Sequence, residues 1–81
     1  MITHLSGTIE EVRLDKAVID VSGVGYSFFA TPATLSTLTA GQEAKILTHL
    51  VVREDAWLLF GFAGSDERDI FSVSYTHLTL P

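Results

Sequence analysis

The sequence predicts an all-β domain, and three observations carry that prediction. Five segments of strand length either alternate apolar and polar residues or are apolar on both faces. Glycine, serine and aspartate fall between several of these segments, where the chain must reverse. Helical spacing occurs only between the third and fourth segments and after the fifth. The length, 81 residues, suits one small domain.

In the first segment, LSGTIEEV, Leu5, Gly7 and Ile9 fall on one face, with His4, Ser6, Thr8 and Glu10 on the other. RLDK has the polarity of a turn. KAVIDV alternates again, placing Ala17, Ile19 and Val21 together. In SGVGY, Gly23 and Gly25 take positive φ at little steric cost, so both are expected to be turn glycines. YSFFA is the third strand, rich in aromatics. TPATLSTL then predicts a short helix. Thr31 caps it, Pro32 suits its first turn, Leu35 and Leu38 share a side, and Gly41 ends it. QEAKILTHLVV is the fourth strand, with Ala44, Ile46, Thr48, Leu50 and Val52 on one face. AWLLFGF is the fifth. Leu58, Phe60 and Phe62 share one face, Trp57 and Leu59 the other, and apolar residues on both predict cover on both sides. Ser65 can cap a helix beginning DERDIF. Five strands with a helix between the third and fourth is the order of an OB-fold five-stranded barrel.

Composition narrows the function. The 47% hydrophobic and 19% charged residues are those of a folded domain rather than a disordered chain. The absence of cysteine excludes disulfides and thiolate metal sites. No apolar run is long enough to span a membrane, and the N-terminus lacks the features of a signal peptide. The expected location is therefore cytoplasmic. A net charge of −5 sets the whole domain against phosphate.

No catalytic, metal or cofactor motif stands out, and none of these groups is expected. SGVGY is too short for a phosphate loop and precedes no helix. His4, His49 and His77 have no ligand spacing, and ordinary strand or surface histidines are expected. Tyr26, Phe28, Phe29, Trp57, Phe60 and Phe62 sit among only five basic residues. A single-strand-binding platform interleaves aromatics with basic residues, so most of these rings are expected in the core or a subunit interface. Arg53, Glu54 and Asp55 join the last two strands at a tip without the Asn-Gly or Asp-Gly of a tight hairpin. Taken alone, such a tip is a solvated turn.

Longer motifs change that view. M-I-x-x-L-x-G-T (Met1 to Thr8), G-V-G-Y (Gly23 to Tyr26), G-Q-E (Gly41 to Glu43), T-H-x-V-V-R-E-D-A-x-L-L-F-G-F (Thr48 to Phe62) and E-R-D-x-F (Glu67 to Phe71) resemble the N-terminal domain of the RuvA family. The resemblance covers residues 1 to about 71. It implies an OB-fold at residues 1–63 and, at 64–72, the start of a helix leading to a helix-hairpin-helix domain. It further implies a homotetramer that binds four-way (Holliday) junction DNA in recombination and DNA repair. The subunit would be non-catalytic, with the RuvB ATPase as partner through a domain absent from this chain. Glu54 and Asp55 match the family's acidic pin, whose carboxylates repel phosphates at the crossover. Arginines common near the family's N-terminus are replaced by Thr3, His4 and Ser6. The alternative is a self-association or protein-interaction module with no DNA affinity of its own. An enzyme in its own right has no supporting constellation.

Beyond Phe71 the family pattern is lost. Thr76, Thr79 and Pro81 predict a poor helix. Val73 to Pro81, VSYTHLTLP, resembles the translation of a transposon-type sequencing adaptor and is expected to be non-native, so Tyr75 and His77 are assigned no role.

Overall fold

The computed structural model describes the backbone of residues 1–79 and the side chains of residues 1–73. Strands β1 (His4–Val12), β2 (Lys16–Val21) and β3 (Val24–Phe29) form an antiparallel meander. Helix α1 (Pro32–Leu35) leads to β4 (Glu43–Val52) and β5 (Trp57–Phe62), and α2 (Ser65–Thr79) follows. The sheet closes in the order β1-β2-β3-β5-β4, an OB-like barrel as the sequence predicts. Closure needs β1 to pair with β4, which it does from His4↔Leu47 to Thr8↔Glu43. It also needs one parallel contact between β3 and β5, at Phe29↔Phe60.

The barrel is filled from every strand. Leu5, Ile9, Ala17, Ile19, Phe28, Ile46 and Leu59 form one buried cluster, joined by Leu35 from α1. Phe28, Ile9 and Ile19 are the largest fully buried side chains, and each contributes roughly 1.5–3 kcal/mol by leaving water. Phe28 fits because β5 carries Gly61 beside it. A Cβ at Gly61 would stand 2.8 Å from Cε2 of Phe28, closer still to its Cδ2, and 2.9 Å from Cγ2 of Ile46. In β1, a bulge between Ile9 and Glu11 bends the strand as it leaves β4 for β2.

Four details depart from the sequence expectations. First, Gly23 takes φ +92 beside Ser22 at φ 53, so the β2–β3 reversal is a two-residue turn closed by Val21↔Val24. Two successive positive φ values match the twist of the flanking strands. Gly25 is not in that turn. It lies within β3, opposite Asp20, and β3 begins at Val24 rather than Tyr26.

Second, α1 is shorter than expected. Thr31 caps it, with Oγ1 accepting from the Thr34 N–H, and Pro32 stands in the first turn. Ser36 and Thr37 then turn their hydroxyls back to the carbonyls of Ala33 and Thr34. Such local bonds compete with helix propagation, and the helix stops at Leu35. Third, Val52 continues the interior face of β4 yet is 61% exposed. Fourth, α2 stays helical to Thr79. Each threonine costs a helix well under about 1 kcal/mol relative to alanine, too little to stop it. Pro81, and the side chains of Tyr75 and His77, lie outside the described residues.

Candidate nucleic-acid interface

The acidic tip is the end of the β4–β5 hairpin. Its ladder runs from Leu47↔Phe62 to Val52↔Trp57. A four-residue loop, 53–56, replaces the tight turn, and the Arg53 N–H donates to the Ala56 carbonyl at 2.9 Å. Residues 52 to 57 are all exposed. Glu54 and Asp55 therefore stand side by side in water at the far end of two strands.

Both faces of this hairpin are seated. On the interior side, Leu59 is buried, Leu50 packs against the core, and Gly61 receives the Phe28 ring. Thr48, 2% exposed, donates from Oγ1 to the Ile2 carbonyl at 2.8 Å, and from its N–H to the Thr3 carbonyl at 2.9 Å. On the outer side, Phe71 of α2 packs on Phe60, with ring centroids 4.9 Å apart, and on Phe62, 5.2 Å apart. The cover expected on both sides of β5 is thus present at Leu59, Phe60 and Phe62. The His49 ring meets Phe71 edge-on at 5.5 Å. Ser72 Oγ donates to the Arg68 carbonyl, so its bond with His49 Nδ1 at 2.9 Å is one in which the imidazole donates. Arg68 also reaches the Thr3 carbonyl, at 3.1 Å. The strands holding the tip are thus fixed from inside and outside, while Glu54 and Asp55 are exposed.

The other singled-out residues lie apart from it. Gly23 and Gly25 belong to the β2–β3 hairpin. His4 opens β1 and its ring contacts Thr3 Oγ1, whereas His49 lies under α2. Among the described residues no group of three His, Asp or Glu is placed to hold a metal. No helix among them is long and apolar enough to cross a membrane.

The sequence groups Trp57 with aromatics of the core or an interface, and the core is ruled out: it is 72% exposed. Alternation along β5 puts it on the same face as Leu59, which is buried. Val52 opposite it continues the face of Leu50. The hairpin therefore outruns the barrel, and its last interior-facing pair emerges into solvent beside Glu54 and Asp55. Only barrel dimensions reveal this. The one sequence signal available was that an aromatic directly follows the tip.

Residues 1–61 match the family described as RuvA N terminal domain. The chain belongs to this family. The chain is 58% identical over 76 residues to the "Holliday junction branch migration complex subunit RuvA" of Micrococcus luteus, covering 94% of this chain and 36% of that protein. It is 55% identical over 73 residues to the protein of the same name from Pseudarthrobacter chlorophenolicus, covering 90% of this chain and 34% of the relative. For the Corynebacterium aurimucosum protein of that name the figures are 50% over 76 residues, with 94% and 38% covered. The chain thus spans about a third of the length of these relatives.

Proposed function

We propose that this domain is the N-terminal part of a Holliday-junction-binding subunit of a branch-migration complex, acting in the cytoplasm in recombination and repair. The β4–β5 tip faces the DNA at the crossover. The observation that carries this is the bare pair Glu54 and Asp55 at the end of a hairpin whose strands are seated on both faces. Family membership and the names of the relatives support it.

Carboxylates at the crossover repel phosphates that would otherwise collapse into it, and so hold the strands apart. They also penalise a continuous duplex, whose backbone would have to cross the tip. With a net charge of −5, this domain supplies selection rather than bulk attraction. Grip on the phosphates comes from segments outside it. Assembly into a tetramer brings four tips to the centre. The subunit performs no chemistry itself, and ATP hydrolysis belongs to RuvB, a separate chain engaged through another domain.

The test uses a chimaera in which residues 1–72 replace the matching segment of the Micrococcus luteus relative. Gel shift against a four-way junction and a linear duplex, over a range of salt, should show salt-sensitive binding selective for the junction. Equal affinity for the two would overturn the proposal. A second reading, a self-association module without DNA affinity, is favoured by the exposed Val52 and Trp57. It predicts concentration-dependent assembly in light scattering and, because grip on phosphates lies outside the domain, no preference of the chimaera for junction over duplex.

A further inference from the structure

We infer that Trp57 is a base-stacking residue: its indole packs on the base face left open at the DNA crossover, beside the carboxylates that turn phosphates away. This rests on the proposed placement of the tip at the crossover.

Three observations carry it. Trp57 is the sole tryptophan, and it is 72% exposed. An isolated indole gains nothing from that exposure in a free domain, because burying it contributes more than leaving it in water. Next, its position is not accidental mobility at a chain end. Trp57 is the first residue of β5, paired with Val52 in a ladder whose following pairs are buried or seated. The backbone thus holds the ring at the rim of the barrel, on the extension of its interior face. Finally, charge selects what can approach. Glu54 and Asp55 lie three and two residues away, and they disfavour a phosphate backbone next to the ring. A base face is apolar, flat and uncharged, so it is the part of DNA that this surface accepts.

At an opened four-way junction the base pairs flanking the centre lose a stacking neighbour. A continuous duplex offers no such face. Stacking by Trp57 would therefore add affinity for the junction alone, whereas the carboxylates subtract affinity from everything else. Aromatic–base stacking accounts for roughly 1–3 kcal/mol per base on alanine substitution, which corresponds to about 5- to 150-fold in affinity. Val52 widens the apolar rim without offering a ring.

The experiment uses the chimaera described above and its W57A and W57F variants. Junction and duplex affinities are measured by gel shift, and tryptophan fluorescence is followed during the same titrations. The W57F variant identifies the part of the signal that belongs to Trp57. The inference predicts quenching of that signal by the junction but not by the duplex. It also predicts about 5- to 150-fold weaker junction binding in W57A, with duplex binding unchanged and most affinity kept in W57F. Junction binding with no Trp57-dependent quenching and no loss in W57A would overturn the inference while leaving the proposed function standing. No selective junction binding by the parent chimaera would overturn both. A Trp57 signal that changes with protein concentration before DNA is added would assign the ring to contact between copies, and would also overturn it.

Discussion

Gly61→Ala tests whether the hairpin is held by the core. The new methyl would lie 2.8 Å from Cε2 of Phe28 and 2.9 Å from Cγ2 of Ile46. Phe28 is 0% exposed and Ile46 3%, so neither can swing into solvent. Overpacking of this kind costs about 1–3 kcal/mol. A domain of this size has a total stability of roughly 4–12 kcal/mol. The loss is therefore a large fraction, equivalent to a fall in Tm of at least about 4 °C. Urea denaturation followed by circular dichroism measures it. Phe28→Leu supplies the control, because a smaller side chain leaves room for the methyl. In that background Gly61→Ala should cost at least ~0.5 kcal/mol less, a coupling expected only between residues in contact. Additive effects, or a Gly61→Ala change within about 0.5 kcal/mol of zero, would refute the reasoning.

Two further perturbations bear on the surroundings of the hairpin. Phe71→Ala removes a half-buried ring that packs on Phe60, Phe62 and His49. A loss of about 1–3 kcal/mol is expected, seen as faster hydrogen exchange in α2 while amides of β1 to β3 keep their protection. Unchanged exchange in α2 would mean that Phe71 does not hold it. For the C-terminal segment, sequencing the source DNA across codon 72 without a transposon adaptor should give codons other than those for Val73 to Pro81. The same nine codons and a stop would show that the segment is native.

Much of this fold could be read directly from residue pattern, and the failures have physical causes. The interior faces of β4 and β5 follow from alternation, because the side-chain period of a strand is fixed by its backbone. Alternation says nothing about where a barrel ends, so the exposure of Val52 and Trp57 was hidden. Thr31 and Pro32 located the start of α1, but Ser36 and Thr37 ended it through hydroxyl bonds that residue spacing does not reveal. Gly23 and Gly25 looked equivalent. Only Gly23 has a positive φ, since the two-residue turn is completed by Ser22. The docking of Phe71 and Ser72 on β4 and β5 joins residues far apart in sequence, and no local pattern announces it. At the tip, the location of Glu54 and Asp55 was legible. Their purpose was not, because two solvated carboxylates look the same whether they face water or DNA. The longer family motif is the ground for proposing that they face DNA.

The measurement that bears most directly on the proposed function is the junction-to-duplex affinity ratio of the chimaera before and after Glu54→Gln with Asp55→Gln. Both residues are exposed, so the double variant should keep its stability to within about 0.5 kcal/mol. The tip acting at the crossover predicts tighter duplex binding, a smaller ratio and altered branch migration with RuvB. An unchanged ratio, with unchanged branch migration, would show that the acidic tip does not face the DNA.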